Sequence, residues 1–257
     1  MTDFTPYFVD VSVPEAVVLD CSEPVSAHPN TCNAIWYRAI PSAMRCDDND
    51  AVQEWHPDAG VGAVATPAEP NANQSRCAEE GGLIFQAGIN SGLIIEGALV
   101  EPSAFSCAVR YRSDDGDARS LITVNPNAQD TYLFLTEKGG QIYWEDQQGS
   151  VSLSRPAPQN GWVAVGYSHG KLSLSVAERA GGFGSVLRSI DLRTALAGSS
   201  DVFIGCRSHR KGILKTLGAS TIHDILIWAD RDINAGKRQD LEAVFHYCEQ
   251  EVASDDI

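Results

Sequence analysis

Three places in this 257-residue chain combine residue types in spacings that could do chemistry. The first is Gly166-Tyr167-Ser168-His169-Gly170, a GxSxG string. In a nucleophile elbow such a serine sits on a strained turn between a strand and a helix. Here Lys171 to Val176 alternates polar and apolar residues, as a strand does, so the string is read as a hairpin turn whose glycine supplies positive φ. The second is Glu145-Asp146. Retaining glycoside hydrolysis needs two carboxyl groups on one surface, about 5–5.5 Å apart, whereas neighbours in a strand point to opposite faces. No catalytic residue is therefore assigned, and the expectation is a protein that is not an enzyme. The third is Ser113-Asp114-Asp115-Gly116-Asp117. Clustered carboxylates on a glycine turn suit Ca²⁺, which makes Asp114, Asp115 and Asp117 candidate metal ligands. The competing reading is a solvated hairpin tip, since Asp and Gly also form turns. Asp47, Asp48 and Asp50 are a second, weaker cluster of the same kind.

Binding chemistry is concentrated in Arg207, His209, Arg210 and Lys211, with Lys215 close behind, the one basic cluster in a chain of net charge −15. It could hold sulfated or carboxylated sugars, or the acidic first third of a neighbouring copy, or be a plain charged loop. Five tryptophans, Trp36, Trp55, Trp144, Trp162 and Trp228, could stack on sugar faces, although strands bury most aromatics. Trp144, next to Glu145 and close to a hairpin, is expected to be the exposed one. The six histidines show no HxH or HExxH spacing, which argues against zinc. The seven cysteines contain no CxxC. Cys21, Cys32, Cys46 and Cys77 lie in a loop-rich region where a bridge could form outside a cell. Cys107, Cys206 and Cys248 sit in apolar patterns and are expected to be small core residues.

Elements that must position these groups follow from periodicity. Residues 83–87, 93–95, 105–111, 120–124, 131–136, 141–145, 162–167, 171–176, 201–206 and 221–228 read as strands. Hairpins are expected at Glu137-Lys138-Gly139-Gly140 and at Ser168-His169-Gly170. Leu241, Val244, Phe245 and Cys248 form one apolar stripe at helical spacing, with Asn234 as a candidate cap. Strands without intervening helices predict an all-β antiparallel β-sandwich with a short C-terminal helix. Residues 1–34 read as an extended acidic N-terminal arm, and 47–80 as turn-rich surface chain. Residues 1–80 hold 13 acidic and three basic side chains.

Composition sets limits. Apolar content of 43% and charged content of 21% are those of a globular chain, long enough to fold without a metal or disulfide. The negative charge repels phosphate, so nucleic acid and membrane surfaces are poor partners. No stretch of 18 apolar residues occurs, and the first residues lack the basic and apolar segments of a secretory signal.

The stretch Gly218-Ala219-Ser220-Thr221-Ile222-His223-Asp224-Ile225-Leu226-Ile227-Trp228 with its closing helix resembles the end of concanavalin A-like jelly rolls of the laminin-G-like class. Gly82 to Ile95 resembles that family's early strands. Ile35-Trp36-Tyr37, with Val52-Gln53-Glu54-Trp55 and Pro57-Asp58-Ala59-Gly60, resembles the opening of jelly-roll proteins of phage and bacterial surfaces. Tyr37-Arg38 and His56 depart from that opening. The resemblance implies a jelly-roll domain over 35–257, with one Ca²⁺ at the rim in some relatives. Glycosidases of the fold carry an E-x-D-x-x-E string, which does not occur here. Together with the missing export signal, the resemblance implies a non-catalytic recognition or assembly module. The expected setting is a tailed-phage virion, as a capsid decoration, head spike or fibre subunit that binds host polysaccharide. It would contact other virion or surface proteins through its arm and form a homo-oligomer. A lectin-like bacterial surface protein, exported by a non-classical route, is the alternative, with a glycoside hydrolase or esterase behind it.

Overall fold

The computed structural model describes residues 33–69, 74–128, 131–149, 151–158, 161–178, 182–187, 196–208, 216–236 and 238–254. The expected arm up to residue 32, with Cys21 and Cys32, lies outside these residues, as do His209, Arg210, Lys211 and Lys215.

In chain order the strands are β1 (Ile35–Arg38), β2 (Met44–Cys46), β3 (Val52–Trp55), β4 (Thr66–Pro67), β5 (Arg76–Cys77), β6 (Leu83–Phe85), β7 (Leu93–Leu99), β8 (Ala104–Arg112) and β9 (Arg119–Pro126). They continue as β10 (Leu133–Lys138), β11 (Gln141–Asp146), β12 (Ser152–Pro156), β13 (Gly161–Ser168), β14 (Lys171–Glu178), β15 (Gly182–Leu187), β16 (Ser200–Ile204) and β17 (Ser220–Trp228). A helix, α1 (Arg238–Ser254), closes the chain. An eight-stranded sheet runs β15-β14-β13-β8-β17-β6-β5, with β1 also on β17. A seven-stranded sheet runs β12-β11-β10-β9-β16-β7-β4, and β2 pairs with β3. The pairings within both large sheets are antiparallel. The antiparallel sandwich with a C-terminal helix is therefore the observed architecture.

Alternation explains the two layers. On β8, Phe105, Cys107, Val109 and Tyr111 enter the core between the sheets, and Ser106, Ala108 and Arg110 take the outer face. From the seven-stranded sheet, Leu121, Ile122, Val124, Leu133, Leu135, Ile142 and Trp144 meet them. Leu121 and Ile122 both face inward because the β9–β10 register slips by one residue at a bulge.

The outer face of the eight-stranded sheet is covered. Leu241, Val244, Phe245 and Cys248 of α1, the stripe read from the sequence, pack on Trp36, Ala108, Trp162, Ala164, Leu226 and Trp228. Phe245 stacks on Trp162 with ring centroids 4.6 Å apart. Under this layer Arg110 donates to Asp224 at 2.5 Å, and the Trp36 indole donates to the same carboxylate at 2.9 Å.

Several expectations need correction. Asn234 does not cap α1. Asp232 caps a short 3₁₀ turn over Ile233–Ala235, and the extended backbone of Gly236 separates that turn from the helix. Asn234 instead donates its side-chain amide to the Ala164 carbonyl and the Ser173 hydroxyl. The turn-rich stretch 47–80 contains β3, β4 and β5, each of two to four residues, too short to show alternation. β12 and β15 escaped notice as well; they are the outermost strands of their sheets. The hairpins stand where expected. His169 and Gly170 both have positive φ, as do Gly139 and Gly140, which matches the twist of two-residue hairpins. Ser168 ends β13 in such a turn and precedes a strand, so GxSxG is no elbow here.

Candidate functional site

On β10 and β11 the alternation sorts the side chains by face. Leu133, Leu135 and Glu137 point inward with Asp146, Trp144 and Ile142, while Phe134 and Thr136 point outward with Glu145 and Tyr143. Glu145 stands directly opposite Phe134. The Arg207 guanidinium lies 4.0 Å over the Phe134 ring, and Tyr132 stands beside that ring at 5.6 Å. Arg207 is delivered by the turn after β16. Gly205 adopts φ +71°, and a Cβ there would sit 2.1 Å from the Phe85 ring, so only glycine lets the chain turn. The Gly205 amide then donates to the Leu121 carbonyl (3.0 Å), Thr123 Oγ1 donates to the Cys206 carbonyl (3.2 Å), and Arg207 Nε donates to Ser120 Oγ (3.3 Å). These bonds lay 205–207 across β9.

The electrostatics of this patch are unequal. Burial pushes the Glu145 carboxyl up, and the charge of Asp146 adds to that; Arg207 and Lys138 oppose it and lose. Glu145 is thus a half-buried acid on an outer sheet face, its pKa raised, beside a guanidinium held over an aromatic ring. Such a set can give a proton to a leaving oxygen and bind a carboxylate or hydroxyl through Arg207. Glu137 also has its pKa raised, chiefly by burial, but it points to the inner face and accepts from the Ala118 amide (3.2 Å). The two acids do not form one pair.

Of the residues singled out from the sequence, Arg207 is in this patch. Trp144 is not: it is fully buried between the sheets, and its indole donates to the Gly166 carbonyl at 3.2 Å. The hairpin position suggested exposure, but the parity of β11 sends residue 144 inward and residue 145 outward. Asp114, Asp115 and Asp117 have separate duties. Asp114 pairs with Arg112 (3.3 Å), Asp115 Oδ1 accepts from Ser113 Oγ (3.1 Å) and the Asp117 amide (2.9 Å), and Asp117 holds Arg119 (2.8 Å) and the Gly139 amide (3.1 Å). Asp47 likewise caps its own turn through the Asn49 and Ala51 amides. Among the described residues no group of three or more His, Cys, Asp or Glu is placed to share a metal ion. Cys107, Cys206 and Cys248 are buried as expected, and burial pushes the thiols of Cys107 and Cys206 up to about 12. Phe134, Ser120 and Tyr132 were missed. The available signal was Leu133-Phe134-Leu135, three apolar residues in a row, which marks a strand with something to cover on both faces.

No family model matches the chain, and no curated protein sequence matches it. Solved structures do. A Trypanosoma rangeli sialidase in complex with 2,3-difluorosialic acid matches with TM-score 0.52 and 13% identity, over 84% of this chain and 33% of its own. An arabinofuranosidase complexed with arabinofuranosyl-α-1,2-xylobiose matches with TM-score 0.53 and 10% identity, over 77% of this chain and 51% of its own. An α-l-arabinofuranosidase soaked with a cyclic sulfate inhibitor gives TM-score 0.51 at 11% identity, with the same shares. The chain thus spans about a third of the sialidase and half of the arabinofuranosidases. At this identity the likeness is one of fold: an all-β sandwich. Against the expectation of a non-catalytic virion module, the matching structures named here are a sialidase and arabinofuranosidases. The exclusion of enzymes falls with that expectation. That exclusion rested on the hairpin reading of GxSxG, on Glu145 and Asp146 facing opposite ways and on a missing E-x-D-x-x-E string, and a sandwich can bring carboxylates together from separate strands.

Proposed function

We propose that the chain is a carbohydrate-active β-sandwich of the concanavalin A-like jelly-roll type. The saccharide sits on the outer face of the seven-stranded sheet and Arg207 anchors it; Glu145 gives its proton to the glycosidic oxygen as the bond from that oxygen to the anomeric carbon breaks, and water adds to the anomeric carbon and gives up a proton to solvent, from which Glu145 is reprotonated. The observation that carries this reading is the half-buried Glu145 carboxyl, its pKa raised by desolvation, facing Arg207 across Phe134. Support comes from the names of the matching structures, which include a sialidase holding an acidic sugar derivative and an arabinofuranosidase holding a sugar chain. Arg207 suits the charge of an acidic sugar, and Tyr132 and Tyr143 offer rings to its apolar face.

The test is a panel of 4-nitrophenyl glycosides, sialosides and arabinofuranosides included, run beside a glycan array. Wild type is expected to bind and to release nitrophenol. Glu145→Gln is expected to lose about 10²–10⁴-fold in turnover with binding retained, as for a lost general acid. Arg207→Ala is expected to weaken binding. A wild-type protein that neither binds nor cleaves any member of the panel overturns the reading, as does turnover indifferent to Glu145→Gln.

A further inference from the structure

Arg207 is half-buried over Phe134, and its surroundings satisfy only part of its guanidinium. Nε donates to Ser120 Oγ at 3.3 Å, and that hydroxyl in turn donates to the Thr216 carbonyl at 2.9 Å. Ser120 is 2% exposed and Phe134 6%, so both supports are packed in place. The two terminal amino groups, Nη1 and Nη2, have no hydrogen-bond partner among the described residues. A guanidinium carries five N–H donors, and one is used here. The contrast with other cations is plain in a chain of 34 acidic and 19 basic side chains. Arg38, Arg45, Arg110, Arg112, Arg119 and Arg231 each hold a carboxylate. Arg207 holds none among the described residues, Glu145 included. The face of Phe134 attracts the cation but leaves the Nη donors without an acceptor. Donors on a half-buried cation that have lost part of their water and gained no partner point to an anionic ligand that completes them.

We propose that Arg207 is a fork for the carboxylate of a sugar acid, with Nη1 and Nη2 donating to its two oxygens and with Ser120 and Phe134 as positioning residues. This rests on the sheet-face reading for where the sugar lies, and not on its cleavage. Because Nε is taken by Ser120, the end of the guanidinium formed by Nη1 and Nη2 is the edge left open. Two parallel N–H bonds from that edge match the two oxygens of one planar carboxylate. A neutral sugar hydroxyl can take one of these bonds but not the charge-assisted pair. A lysine at this position would offer a point charge without the fork. Glu145 feels both Arg207 and Lys138, so on this face two cations attend one acid, and a ligand carboxylate restores the balance. The fork is also set before any ligand arrives. The Ser120 and Thr216 bonds and the Phe134 ring hold Arg207 in one place, so little side-chain entropy is lost on binding.

The experiment titrates the full chain, by calorimetry and by amide chemical shifts, with methyl glucuronide, methyl galacturonide and the methyl glycoside of N-acetylneuraminic acid. Each is run beside its own methyl ester, which removes the charge and keeps the ring. At least one acid is expected to bind about tenfold or more tighter than its ester, as for one charge-assisted bidentate pair, and to move amides of residues 132–136, 143–147 and 205–208. Arg207→Lys keeps the charge and loses the fork, and is expected to cut the acid-to-ester ratio to about threefold or less. Ser120→Ala is expected to lower that ratio about threefold with ester binding unchanged, a selective loss that destabilisation alone would not give. If Ser120→Ala disturbs the turn, Arg207→Lys decides alone. A ratio near one for all three pairs overturns the proposal, as does a ratio kept in Arg207→Lys, or no binding by any of the six. So does tighter binding of methyl glucoside 6-sulfate than of the glucuronide, which would mean charge recognition without the fork. The catalytic reading fails separately. Absent turnover, or turnover indifferent to Glu145→Gln, leaves the ratio standing, whereas a ratio near one beside turnover lost in Glu145→Gln sinks the fork alone.

Discussion

The two outer faces of this sandwich have met opposite fates. On the eight-stranded sheet, Arg110, Asp224 and Trp36 are buried beneath α1, their hydrogen bonds closed on one another. On the seven-stranded sheet, Glu145 and Tyr143 remain half-exposed, and Arg207 lies across the face instead of beneath a helix. Both faces carry an acid, a guanidinium and aromatic rings. What separates them is coverage. Where a helix excludes water, charge must be paired and becomes structural. Where the face stays half-wet, burial is enough to raise a carboxyl and too little to lock it away, and this combination suits chemistry.

The comparison breaks hardest at Asp224. Asp224→Ala leaves Arg110 buried without its counter-charge and is expected to cost about 3–5 kcal/mol in urea unfolding, with no specific effect on the other face. Loss of less than about 1 kcal/mol would mean that the covered face is not closed as described. Next is Phe245→Ala, which removes the ring stacked on Trp162 and is expected to cost about 3 kcal/mol, seen as a lowered melting temperature. By contrast, Arg207→Ala and Glu145→Gln are expected to stay within about 0.5 kcal/mol of wild type in stability while changing binding or turnover. A large destabilisation from either would move them to the structural class.

The smallest effect is a pH profile. A carboxyl whose folded pKa lies above its unfolded value binds more protons in the native state. Stability therefore falls as pH rises from the ordinary Glu value of about 4.3 through the raised folded value. Glu145→Gln is expected to flatten that part of the stability-versus-pH curve relative to wild type, and Glu137→Gln to do the same. The two separate in function: the activity limb on the alkaline side should vanish only with Glu145→Gln. A parallel effect of Glu137→Gln on activity would contradict their placement on opposite faces.

Much of the scaffold was legible residue by residue. Phe105 to Tyr111 announced a strand with one buried face, Leu241 to Cys248 a helix with one apolar stripe, and the Gly139-Gly140 and His169-Gly170 pairs their hairpins, because each signal is local. The short pieces β3 to β5 were not legible, since a strand of two to four residues leaves no periodic trace, and neither was the edge β12, where Leu153 alone of five residues is buried. The candidate site was half legible. Arg207 stood out as a cation in an acidic chain, but the residues that hold it, Phe134 and Ser120, read only as strand.

By itself, the amino-acid sequence determined that this protein is an antiparallel sandwich with a terminal helix, because backbone pattern and turn chemistry depend on near neighbours. Only the tertiary structure decided that Trp144 is core while its neighbour Glu145 is surface, which sheet face α1 covers, and that Arg207 meets Phe134 from 73 residues away. Parity, coverage and desolvation are properties of whole layers in contact, and they in turn set which carboxyl has its pKa raised.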